Sequence, residues 1–347
     1  LDAYLSEKLK KTSFILMILV VFLHAYNLKV VNTGQIVFNK SFTFFVEDFF
    51  SYGITRIAVP LFFIISGFLF FKNKPSYKVI LTQIIKRFKT LIIPYFLCAF
   101  LGIIIYFVLQ NIPQSKSFFN SKLVSNFTFS DWVNAIFVLP IPYQLWFLRD
   151  LIILVFLSPL LLFLLNYLNV WLILLSFTVW MIGLNTTFLT GESLFFFITG
   201  AYTAVYLPKV LLIKNNKGNL FIVLWIAFML LKQIFNFFDF SENLEFIILK
   251  ISILFGIIAF WHIYDIFHNS FNHFSKFVPY SFFIYLVHEP LLTIIKKSFF
   301  FALPKTELNY LLAYFVTPTL TIIICIWLGI LVKRYCLPVY NMFTGNR

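Results

Sequence analysis

The sequence has little charge to spend on a wet surface. Asp, Glu, Lys and Arg supply 12% of its residues, about half of what soluble domains carry, which excludes an ordinary water-soluble fold. Acid is scarcer than base, with 13 Asp and Glu against 27 Lys and Arg. Cysteine is nearly missing: Cys98, Cys325 and Cys336 are odd in number and show no CxxC spacing, which argues against a disulfide framework and a zinc site. Glycine is low as well, at 11 residues, leaving few of the small-residue contacts along which membrane helices slide. No internal repeat of the kind that builds inverted-repeat transporters stands out.

What is present is apolar. Hydrophobic residues make up 61% of the chain and mean hydropathy is +0.93. Runs near 13–31, 54–71, 91–109, 145–165, 170–188, 193–207, 220–238, 246–264, 278–297 and 310–332 approach the length needed to cross lipid. They predict an all-α, polytopic transmembrane bundle of about ten helices, with one domain over 1–347 and no appended soluble domain. Most Lys and Arg fall in the segments that face the cytoplasm if both termini lie inside, as Lys8, Lys10, Lys11, Lys72, Lys74 and Lys78 do. The basic balance therefore reads as topology, and no nucleic-acid partner is expected. The first span follows a basic segment but lacks a small-x-small cleavage site, so it reads as a retained anchor. Longer connections near 32–53 and 110–144 face the other side, the second carrying Pro113, Pro140 and Pro142 and a Ser/Asn stretch.

Ionisable groups inside spans turn toward the bundle interior, because lipid cannot solvate them. In "LVVFLHAYN", His24 and Asn27 are three residues apart and would share a helix face; counted from Ser13, His24 falls near mid-bilayer. In "SFFIYLVHEPLL", Ser281, Tyr285 and His288 recur at helical spacing, and His288 should lie at the depth of His24. Glu289 precedes Pro290, which breaks the hydrogen-bond ladder and can free backbone groups. An HExxH zinc protease is excluded by Leu292 where a second histidine would stand, and no metal is expected. Lys86, Arg87 and Lys89 cluster at the start of the third span as a topology determinant or a phosphate clamp. In "YQLWFLRDLIILVF", Trp146 suits an aromatic belt. Arg149 and Asp150, adjacent and pointing apart, would each need a partner, in a structural ion-pair network or an acceptor site. Arg56 and Ser66 complete the set of polar groups within spans that could serve a site.

Taken together, "ILVVFLHAYN", "RIAVPLFFIISGFLFF", "KRFKTLIIPYF", "LWFLRDLIILVFLSPLL" and "SFFIYLVHEPLL" resemble, in order, the acyltransferase-3 family of integral-membrane O-acyltransferases. The resemblance covers most of the chain. It implies transfer of an acyl group, expected to be acetyl, from acyl-CoA to a hydroxyl of a sugar, surface glycan or lipid-linked precursor. The setting it implies is the bacterial inner membrane. Acyl-CoA would be a co-substrate, with no permanently bound cofactor. His24 matches the first-helix histidine required for activity, and Lys86, Arg87 and Lys89 match the Arg-rich start of the third helix linked to the donor. Two departures stand out: Ser13 occupies the position eleven before the histidine where many members have Arg, and the third helix reads Lys-Arg-x-Lys.

Such a transfer needs a base for the hydroxyl proton, which a histidine can supply, and a donor for charge on the thioester oxygen, for which Asn27 and Ser66 are candidates. His288 and Glu289 would support the base, while Arg56, Trp146, Arg149 and Asp150 would face the acceptor. A transporter or flippase of a polar or lipid-linked substrate is the alternative use of the same buried groups.

Overall fold

The computed structural model describes residues 2–29, 35–113, 122–212 and 217–345. Among these the chain is helical, with two isolated β-bridges, Lys29 to Ile36 and Asn185 to Thr190. The helices are α1 (Ala3–Ala25), α2 (Phe42–Ser51), α3 (Ala58–Phe71), α4 (Tyr77–Arg87), α5 (Ile93–Asn111), α6 (Phe129–Val133), α7 (Leu145–Phe156) and α8 (Ser158–Leu168). They continue with α9 (Val170–Met181), α10 (Gly191–Tyr206), α11 (Gly218–Phe237), α12 (Glu242–Phe267), α13 (Ser281–Ala302), α14 (Glu307–Tyr335) and α15 (Leu337–Thr344).

Among the described residues six segments are long and apolar enough to cross a membrane: Phe42–Phe71, Tyr77–Asn111, Gly218–Phe237, Glu242–Phe267, Val278–Ala302 and Glu307–Tyr335. The pair α7 and α8, bent by 64°, makes a seventh if taken as one span. The bend lies where Pro159 lacks the N–H that would continue the ladder, and the Ser158 hydroxyl donates to the Val155 carbonyl instead, at 2.6 Å. Of the ten expected spans the remaining three are α1, α9 and α10. Lys8, Lys10 and Lys11 stand in the first half of α1, while α9 has 12 residues and α10 has 16.

Three boundaries differ from expectation, each because of a distant partner. The first helix begins at Ala3, not near Ser13, because its lysines need not stay in water. Lys8 is fully buried, 2.5 Å from Asp265 and over the Trp261 ring, and Lys11 bonds Glu7 and Asn272. The same helix stops at Ala25, and the first span's expected continuation reaches residues 30–31, outside the described ones. The connection expected over 32–53 contains α2, which Ser41 caps by accepting from the Phe44 N–H. Its Glu47 and Asp48 are buried, with Asp48 2.5 Å from Lys232. The Ser/Asn part of the second long connection, 114–121, also lies outside the described residues.

Two further features shape the interior. Between α4 and α5, residues Phe88–Ile92 form a π-helical turn, with the Ile93 N–H donating to Phe88. Pro94 accounts for it, since the N–H it lacks is the one Thr90 would have received. Scarce glycine is spent where α3 meets α10: a Cβ on Gly67 would stand 2.2 Å from the Phe197 carbonyl oxygen, and one on Gly200 2.1 Å from that of Ile64. No larger residue fits that crossing.

Candidate active site

His24 occupies the last turn of α1, at a helix end and not in the middle of a helix. Beyond Ala25 the backbone leaves helical geometry at Tyr26. The Lys296 ammonium of α13 satisfies the freed carbonyls, donating to His24 O at 3.0 Å and Tyr26 O at 3.4 Å, a cation where a helix C-terminus favours one. Asn27 does not share a helix face with His24. Its backbone N–H donates to Glu47 at 3.2 Å and its side-chain amide to the Tyr310 carbonyl at 3.2 Å, so it ties the chain to α2 and α14.

Three side chains converge on the His24 ring or its neighbour. His288 of α13 stacks on it, with ring centroids 5.6 Å apart and planes inclined by 17°. Tyr143, just before α7, meets it edge-on at 4.8 Å. Glu289 is linked through Tyr143, whose hydroxyl donates to the carboxylate at 3.1 Å, while Thr293 donates to its other oxygen at 2.8 Å. The expected interruption at Pro290 is present: Glu289 has extended backbone angles and its carbonyl accepts from the Gln144 side chain at 3.2 Å. His288 is fully buried, and Nδ1 lies 2.9 Å from Tyr285 O and 3.1 Å from Ile284 O. Those acceptors place the proton of the neutral ring on Nδ1. Nε2 is thereby left as a lone pair, with no partner among the described residues. No side-chain hydrogen bond occupies the His24 ring among these residues either.

From His24 a cavity of about 730 Å³ runs back along α1. Leu9, Lys10, Ser13, Met17, Val20 and His24 form one wall of it. Lys10 and His24 are about 21 Å apart at 1.5 Å per residue, so the cavity joins the basic start of the helix to the histidine at its end. Its other walls carry Ser66 of α3, Arg87 at the end of α4, Trp146 of α7, and Ser281 and Tyr285 of α13. Aliphatic and Phe side chains fill most of the remainder. Of the basic cluster only Arg87 faces in; Lys86 and Lys89 are exposed outside the lining.

These features can be set beside known proteins. A family model described as an acyltransferase domain matches residues 14–330. The chain belongs to this acyltransferase family. It is 26% identical over 361 aligned positions to the succinoglycan biosynthesis protein ExoH of Rhizobium meliloti (strain 1021), covering 100% of this chain and 94% of that one. No solved structure matches. The protein is therefore an integral-membrane acyltransferase, and transport is not retained as its function.

In this acyltransferase the other expected site residues lie apart from His24 or serve the frame. Arg149 and Asp150 bond each other at 2.9 and 3.2 Å, because the long guanidinium folds back over the helix, and each has a further partner of its own. Asp150 is fully buried and also accepts from the Thr190 backbone N–H at 3.0 Å, the Thr190 hydroxyl at 3.0 Å and Ser193 at 2.8 Å, which fastens α7 to the start of α10. Arg149 additionally holds the Val138 carbonyl. Arg56, in the turn Ile54–Ile57, is half-buried, with Nε unpartnered among the described residues. Sequence reasoning passed over Tyr143, Gln144 and Lys296. The first two sit in a Pro-flanked connection and the third near a helix end, where polar residues draw no notice. Only the third dimension brings them to His24.

Proposed function

We propose that this acyltransferase moves an acyl group, acetyl in the simplest case, from cytoplasmic acyl-CoA to a hydroxyl of a glycan or lipid-linked sugar, with His24 as the base. The observation that carries the reading is the single cavity linking Arg87 and Lys10 to His24. CoA is a polyanion with a long, thin arm ending in the thioester. Its phosphates suit the basic mouth and its arm the apolar bore, which leaves the thioester at the histidine. With both termini in the cytoplasm, that mouth opens to the compartment where acyl-CoA is found, and the inner membrane of a bacterium is the fitting location.

The reaction follows from the groups at the inner end. His24 takes the proton of the acceptor hydroxyl as its oxygen attacks the thioester carbon. The carbon–sulfur bond breaks, and the CoA thiolate, a stable leaving group with a thiol pKa of about 8.5, recovers a proton from His24. His288, its Nδ1 proton engaged by backbone, holds the His24 ring by stacking, and Glu289 anchors Tyr143 against the same ring. Ser66 lines the bore and is the hydroxyl available to the thioester oxygen. A glycan acceptor is favoured by the similarity to a protein named for succinoglycan biosynthesis.

Purified protein given labelled acetyl-CoA in a single turnover, with a membrane glycan extract as acceptor, should release free CoA and place label in the extract. An intact thioester after prolonged incubation with every short acyl-CoA would overturn the donor assignment. Label remaining in protein or small acid, with none in glycan, would overturn the acceptor.

A further inference from the structure

Tyr143 and Gln144 are neighbours in sequence but face different spaces. Gln144 is buried and lines the long cavity. Tyr143 is 45% exposed and is not among the lining residues, yet its ring meets His24 at 4.8 Å, close to perpendicular. His24 thus borders the cavity and also meets the Tyr143 ring, which is not part of the cavity's lining. We infer that Tyr143 is the septum between donor and acceptor: its ring keeps water from the thioester at His24 and is the surface on which the acceptor sugar docks. This rests on the acyl-CoA reading above.

The segment carrying Tyr143 is pinned like a wall, not hung like a lid. Arg149 holds Val138 O, and Pro142 packs where a Cβ on Gly102 would stand 2.2 Å from its ring. Gln144 donates to Glu289 O at 3.2 Å while its own carbonyl accepts from the Tyr285 hydroxyl at 2.8 Å. The phenol is fixed in turn by the Glu289 carboxylate. A fixed, half-exposed aromatic face suits the apolar C–H face of a sugar ring, whose hydroxyl can then reach over the ring edge to His24. The same ring solves a problem every acyl-CoA transferase shares. Water attacking the bound thioester would form the carbon–oxygen bond, break the carbon–sulfur bond and yield free acid and CoA thiol, wasting the donor; exclusion of water prevents it.

The experiment measures acetate released from labelled acetyl-CoA by the purified full chain without acceptor. Wild type should hydrolyse slowly, while Tyr143→Ala should do so about tenfold faster with little change in donor KM. Hydrolysis by Tyr143→Ala at the wild-type rate would overturn the septum. If Tyr143→Ala loses its melting transition, Tyr143→Leu reads the same quantity. Calorimetric titration of wild type with CoA separates the two levels: absent binding removes the acyl-CoA reading and Tyr143's role with it. Normal binding with unchanged hydrolysis removes Tyr143's role alone.

Discussion

Two polar groupings, Arg149 with Asp150 on α7 and His24 with His288 where α1 meets α13, are built on opposite plans. At Arg149 and Asp150 every oxygen of the carboxylate is used: one takes the guanidinium, the other a backbone N–H and two hydroxyls. At His24 and His288 the rings stack with capacity to spare, and His288 Nε2 has no partner among the described residues. Burying an unpaired polar atom costs about 1–3 kcal/mol. On the proposed function, the satisfied grouping belongs to architecture and the open one to chemistry. The difference could not be read from residue types, since Arg-Asp and His-Glu are equally conspicuous inside apolar runs.

The sharpest way to break this contrast is to remove one member of each grouping. His24→Ala should slow transfer by about 10²- to 10⁴-fold while its melting temperature stays close to wild type, because the side chain borders open space. Asp150→Ala should do the reverse in kind: a buried pair broken on one side costs about 3–5 kcal/mol, read as a large fall in thermal stability. Molecules that still fold should turn over normally. A stable Asp150→Ala protein with no activity would move that pair into the site and dissolve the contrast.

Smaller effects sharpen it at the basic mouth. Arg87→Gln should raise the donor KM by about tenfold, the loss of one charge-assisted contact, at similar saturated rate. Wild-type donor affinity should fall as salt rises, since the mouth is partly open to water. Lys86→Gln and Lys89→Gln, both exposed outside the lining, should each change KM by less than about twofold. Equal effects from all three would mean that a diffuse field, and not a specific contact, holds CoA.

Much of this was legible in the chain, for identifiable reasons. Apolar run length exposes spans because lipid forces every backbone group into a helix, and similar offsets within two apolar runs suggested a common depth for His24 and His288, whose rings stack. What remained hidden depends on partners far away in sequence. Lys8 can enter the bundle only because Asp265 and Trp261 receive it, so α1 begins about three turns earlier than its apolar run suggests. The connection expected over 32–53 contains α2, whose Glu47 and Asp48 meet Asn27 and Lys232. Asn27 looked like a helix-face companion of His24 because nothing local announces that Lys296 will accept the end of the helix at Ala25. Tyr143 is the clearest case, since its role exists only where a connecting segment is folded onto two distant helices.

The account turns on where the donor lies. A cryo-EM structure with a non-hydrolysable acyl-CoA analogue tests that most directly. It should show phosphate density against Arg87 and Lys10, the pantetheine arm along α1, and the acyl carbonyl beside the His24 ring with room for one acceptor oxygen between them, bonded to the ring and about 3–3.5 Å from the carbonyl carbon. An analogue bound with its phosphates at the opposite end of the bundle, near Arg56 and Lys296, or with its acyl group away from His24, would contradict it.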